Sequence, residues 1–255
     1  MECAPILFDK ILSIESFRMS GPWLYVVFMT LVYIGGYVGV ILNVLIALYI
    51  RRREVNITHQ SIEREDFYRN VQEGDIILVC RSGRSGVALD IVELYVYNII
   101  GTVMSGSILG HVGQVFRDVD GSLKVIDVRM NSKNSNRHEH FICSVEEFMI
   151  DYEGVKFWKQ CKEPLTSEES YRLTKAVQTI GSQTGHCDDC FNPFRVLNTP
   201  SNESSPREIL DFGKRYGFGC AENISFIRRA AGIDAPSQRF VLPHHFADQT
   251  IVRIE

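Results

Sequence analysis

The stretch that decides the fold is Gly110-His111-Val112-Gly113-Gln114-Val115-Phe116-Arg117-Asp118-Val119-Asp120-Gly121-Ser122-Leu123-Lys124-Val125-Ile126-Asp127-Val128. Two short apolar runs flank a polar segment, and its Asp120-Gly121 pair is a strong turn signal because glycine accepts the backbone angles of a tight reversal. A β-hairpin fits this pattern better than any helix. His111 then opens one strand and Asp127 lies near the end of the next, so antiparallel pairing predicts that the two side chains approach each other.

Upstream, Glu73-Gly74-Asp75 turns into Ile76-Ile77-Leu78-Val79-Cys80, an apolar run suited to a buried strand. Residues 87 to 104 are apolar, longer and without a period of two, which predicts a buried helix. A second membrane span is the rival there, but Asp90 and Glu93 make insertion costly. Downstream, residues 131 to 140 are polar and read as a loop, and residues 141 to 155 suit a short strand and helix. Thr166-Ser167-Glu168-Glu169 resembles a helix start, with residues 167 to 180 as the body. Residues 181 to 206 are rich in Gly, Asn, Ser and Pro and read as an irregular insertion. A last helix is expected to begin at Cys220 and to end before Gly232, which can supply a left-handed cap.

The N-terminal part has a different character. Residues 19 to 50 carry no ionisable side chain except tyrosine, and Trp23 to Ile50 ends abruptly at Arg51-Arg52-Arg53. A helix needs roughly 20 apolar residues to cross a bilayer, so this run predicts a transmembrane helix over residues 22–50. Trp23, Tyr25 and Tyr49 lie where interfacial aromatic rings settle, and the triple arginine predicts a cytoplasmic C-terminal side. The expected layout is a short extracytoplasmic N-terminus over 1–21, the span, a juxtamembrane linker over 51–72, and a domain over 73–255. Gly35 and Gly39 have a spacing that permits close helix approach, although glycine is also ordinary in membrane helices.

Composition narrows the functional classes. With 27 basic and 31 acidic side chains the formal charge is −4, and no concentrated basic face argues for nucleic acid. The seven cysteines form an odd set without a regular framework, which favours a reducing compartment. The sequons at Asn56, Asn202 and Asn223 matter only if the domain faces a lumen.

Cys220 follows Gly217-Phe218-Gly219 and falls at the first turn of the predicted final helix. Backbone donors and the helix dipole there favour a thiolate, and an adjacent N–H can hold a developing oxyanion. His111, flanked by Gly110 and by Val112-Gly113, suits a general base and acid, and Asp127 suits the group that orients it. The bland alternatives are an ordinary buried cysteine and a structural histidine beside a turn carboxylate. His186-Cys187-Asp188-Asp189-Cys190 offers at most three zinc ligands, with Cys161 as a distant fourth, so a coincidental or disulfide-bonded loop is favoured over zinc. His138 and His140 read as exposed loop residues, and His244-His245 has too little surrounding pattern for a metal site. No cofactor or metal is expected.

In order and context, these segments resemble the circularly permuted papain-like cysteine hydrolases of the NlpC-type superfamily, whose members include bacterial, poxvirus and lecithin:retinol acyltransferase-like proteins. The matching pieces are residues 73–78, 110–115, 125–127 and 220–224. The resemblance implies an α+β domain with a small antiparallel sheet and packed helices. It also implies Cys220 as nucleophile, His111 as base and acid, and Asp127 as the third residue, where relatives often carry glutamate or another polar group. The implied activity is hydrolysis or transfer at an amide or ester bond through a thioester. With the expected span, the partners would be the lipid bilayer and a lipid, lipidated-protein or peptide substrate. Competing expectations are a non-catalytic membrane scaffold that retains the fold, and a thiol–disulfide protein using Cys187 and Cys190.

Overall fold

The computed structural model describes residues 36, 38–50, 52, 60–80, 99, 101–131, 134–152, 154–181, 199–201, 204–216, 218–238, 241–248 and 250–255. In chain order the elements are β1 (Ser61–Ile62), α1 (Arg64–Asn70), β2 (Ile76–Cys80), α2 (Gly101–Ser105), β3 (Leu109–Arg117), β4 (Leu123–Asn131) and β5 (Asn134–Ser144). Then follow α3 (Val145–Asp151), β6 (Lys156–Lys159), α4 (Ser167–Gly181), α5 (Pro206–Tyr216), α6 (Cys220–Ala231), a 3-10 turn (Pro243–Phe246) and β7 (Val252–Ile254).

The domain is α+β, and its strands form one seven-stranded sheet in the order β1-β7-β6-β2-β3-β4-β5. All neighbours are antiparallel except β1 and β7, which run parallel. The sheet is thus larger than expected and mixed. Its central strand β2 is bonded to β3 on one side and β6 on the other, and Ile76 to Val79 are buried on both faces, as its unbroken apolar run predicts. The hairpin of β3 and β4 pairs Gln114 with Ile126 and Arg117 with Leu123. Gly121 takes the left-handed conformation of its turn (φ 82°).

Two hydrophobic layers cover the faces. On one, Ile76, Leu78, Val112, Phe116 and Ile126 pack against Leu173 and Val177 of α4 and Ile224 and Ile227 of α6. On the other, Ile77, Val79, Val115 and Val125 pack against Phe67 of α1 and Val145 and Phe148 of α3. Period-two alternation along β3 divides its residues between the layers. Gln114, on the α6 side, joins a buried polar network. Its Nε2 donates to the carbonyls of Asp75 and Val115, and its Oε1 accepts from Arg228 Nη1 at 2.8 Å. The same Nη1 donates to the Gly74 carbonyl, and Arg228 Nε donates to the Asp234 carbonyl. Asp75 is fully buried and accepts from Trp158 Nε1 and from the Cys161 and Gln72 amides at 2.7–2.9 Å. Burial pushes its carboxyl above the usual carboxylate range, against the pull of those donors and of Arg228.

Several expectations are corrected. Residues 38–50 are helical. Among the described residues no helix is long and apolar enough to cross a membrane, so the transmembrane helix expected before the domain is not found. Residues 1–35, which hold the rest of that run and the expected N-terminus, lie outside the described residues. Residues 60–70, read as linker, belong to the domain: β1 pairs with β7, and α1 inserts the fully buried Phe67. Residues 134–140, read as loop, continue the edge strand β5, and an edge strand bonded on one side tolerates polar residues. The buried helix expected over 87–104 is described only as α2, Gly101–Ser105.

Candidate active site

Three elements converge on His111. β3 carries the histidine near its start, β4 carries Asp127, and α6 begins with Cys220. His111 Nε2 is paired with Asp127 Oδ1, so the hairpin brings together the two groups whose approach its register predicts. His111 is 7 % exposed and Asp127 is completely buried. Gly113, two residues along the same strand, makes room for this arrangement. A Cβ there would lie 2.6 Å from Val125 Cγ1 and 2.9 Å from the Phe148 ring. Phe148 lies parallel to the imidazole at a ring separation of 6.3 Å.

Cys220 reaches the same imidazole from the opposite layer. Its sulfur acts on the ring electrostatically and favours the protonated imidazole. Nε2 is occupied by Asp127, which leaves Nδ1 as the nitrogen for the thiol. Helix α6 starts here because Gly219, in an extended conformation, serves as its N-cap, and the Gly219 amide donates to Glu222 Oε2 at 3.1 Å. The approach is set by aromatic packing: Phe218 lies against Phe212 and Phe226, and its ring occupies the space a side chain at Gly213 would need. At the far end Gly232 caps the helix in the left-handed conformation (φ 74°), as its position predicts.

The electrostatics follow from this geometry. Burial disfavours a charged imidazole, but the Asp127 carboxylate and the Cys220 sulfur outweigh it and raise the His111 pKa from 6.5 to about 10. The histidine therefore holds a proton at neutral pH, beside a sulfur at a helix start. Such a pair can attack an electrophilic carbonyl with sulfur and return a proton to the leaving group.

The sequence reading missed Tyr152. This residue follows α3, is 8 % exposed, and stacks on the His111 ring at 4.5 Å with an interplanar angle of 25°. Its hydroxyl donates to Asp127 Oδ2 at 2.7 Å and lies 2.8 Å from His111 Nε2. The local signal was the capping box Ser144-Val145-Glu146-Glu147, which fixes where α3 begins and so where Tyr152 falls.

The remaining candidates separate from this cluster. His186, Cys187 and Cys190 lie outside the described residues. Cys80, Cys143, Cys161 and Cys220 form no disulfide. His138 and His140 sit on β5, opposite Met130 and Val128. His244 and His245 belong to the 3-10 turn, where His245 Nδ1 accepts from the Leu242 amide. Among the described residues no cluster of three or more His, Cys, Asp or Glu could hold a metal ion. Asn223 is fully buried within α6, which removes it as a glycan acceptor in the folded domain. Comparison with known protein families and with curated protein sequences finds no match.

Proposed function

We propose that the protein is a cysteine-dependent hydrolase or acyltransferase acting on an amide or ester carbonyl. The observation that carries this reading is a buried histidine held by Asp127, with Cys220 at the first turn of α6 acting on the same ring. The order of histidine before cysteine, and the helix opened by the cysteine, support a likeness to the permuted papain-like hydrolases. In the proposed reaction the Cys220 sulfur attacks the carbonyl carbon while its proton resides on His111. The C–N or C–O bond then breaks, and His111 passes its proton to the leaving amine or alcohol. The resulting thioester is resolved by water or by an acceptor hydroxyl or amine, whose proton returns to His111. Substrates with an acyl group, whether peptide or lipid, meet these requirements.

The test is acylation by p-nitrophenyl acyl esters, followed by mass spectrometry of the intact protein. The expected result is a burst of p-nitrophenol and an acyl adduct on Cys220, absent in Cys220→Ser and slowed in His111→Ala. A folded wild-type protein that forms no adduct at Cys220 would overturn the proposal.

A further inference from the structure

We infer that Tyr152 is a positioning residue that fixes the tautomer of His111 and keeps its proton available to Cys220, an inference that rests on the function proposed above. Its hydroxyl closes a ring of three groups. Asp127 uses both oxygens, Oδ1 toward His111 Nε2 and Oδ2 toward the tyrosine O–H. Because that O–H proton is given to the carboxylate, the tyrosine oxygen facing Nε2 at 2.8 Å has only lone pairs to offer. A lone pair there is satisfied only if Nε2 carries hydrogen. Tyr152 and Asp127 together thus require Nε2–H, and Nδ1 is the position that gains or loses a proton facing the thiol.

The phenol does two further things. It supplies the buried Asp127 carboxylate with a neutral donor, which steadies its charge without adding a competing cation. Its ring, stacked on the imidazole and 5.0 Å from Phe148, holds the plane of His111. The titratable groups facing His111 among the described residues are Asp127 from β4, Tyr152 after α3, and Cys220 from α6. Of these, Tyr152 alone can be altered at a single oxygen while its ring stays in place.

Tyr152→Phe is therefore the discriminating variant. Side-chain 15N NMR titration of His111 is expected to show Nε2–H in wild type. In the variant the neutral imidazole should show Nδ1–H beside Nε2–H, because one of the two acceptors that face Nε2 is gone. Iodoacetamide labelling of Cys220 at neutral pH should slow several-fold, because an imidazole that carries hydrogen on Nδ1 cannot take the thiol proton. An unchanged His111 tautomer and labelling rate in the folded variant would overturn the inference, even if Cys220 is acylated. A wild type that never acylates Cys220, with the tautomer changed as expected in the variant, would instead overturn the proposed function and leave the role of Tyr152 toward His111 standing. Asp127→Asn supplies the upper bound, since it removes the charge itself.

Discussion

Helix α6 has a buried polar cluster at each end, and the two differ in what surrounds their carboxylates. Near its C-terminal end, Asp75 is ringed by one indole and two backbone amides, while Arg228 satisfies carbonyls and Gln114. Apart from Asp75 and Arg228, the partners in this network are neutral, so it ties β2, β3, β6 and α6 into one unit. At the N-terminal end, Asp127 is just as buried, yet its partners are an imidazole and a phenol, and the imidazole is under the influence of the Cys220 sulfur. Equal burial thus serves two ends. Neutral backbone donors turn a buried carboxylate into a fastener, and titratable partners turn it into a means of holding a proton where a nucleophile needs one.

That contrast breaks most sharply under paired substitutions. Cys220→Ser should remove esterase or transferase turnover by about 10⁴-fold or more while leaving the thermal midpoint nearly unchanged. Asp75→Ala should do the reverse, leaving the buried Trp158 indole and two half-buried amides without their acceptor and lowering unfolding free energy by about 3–5 kcal/mol in denaturant titrations. If Asp75→Ala left stability intact, the fastener description would fail.

A smaller effect lies in pH. The folded pKa of His111 is raised above its ordinary 6.5 to about 10, so its contribution to stability is complete below about pH 6.5. It is lost as pH rises toward 10, and unfolding free energy should decline across that window by at most a few kcal/mol. His111→Asn should flatten this slope, as read by chemical denaturation at several pH values. Gly113→Ala should cost about 1–3 kcal/mol and slow Cys220 labelling, because its methyl displaces the Phe148 ring that faces His111. The smallest effect is Thr166→Ala, at about 1 kcal/mol, since it removes the hydroxyl's cap on the Glu169 amide and its bond to the Glu169 carboxylate and leaves both clusters alone.

What the sequence made legible was local. The hairpin needed only Asp120-Gly121 between apolar runs, and α6 was bounded by Gly219 and Gly232 with Cys220 between them. The helix start at Thr166 showed in its Glu169 partner, and the structure forms that box with the Thr166 amide and hydroxyl both donating to the carboxylate. Helix α5 carried a comparable signal in Ser205-Pro206-Arg207-Glu208, whose Ser205 and Glu208 cap each other, at the end of the run over 181–206 that reads as an irregular insertion. For Tyr152 the capping box places α3 but does not say what the residue after it meets. Its role arises from α3 packing over β4, a contact that no spacing along the chain encodes. The short strands β1 and β7 were equally hidden, because two or three residues carry no periodicity and their pairing depends on backbone alone.

The pairing of β1 with β7 has a consequence for how the protein is made. Ser61 lies beside Arg253, and β7 also bonds along β6, whose Phe157 and Trp158 are buried. About 190 residues separate the paired strands, so β1 leaves the ribosome long before its neighbour exists. At ordinary translation speeds that interval is about 10–40 s. For about the latter half of it, once β6 has been made, that strand's outer edge stays open to any extended chain that meets it, until Val252-Arg253-Ile254 emerges and shuts the edge.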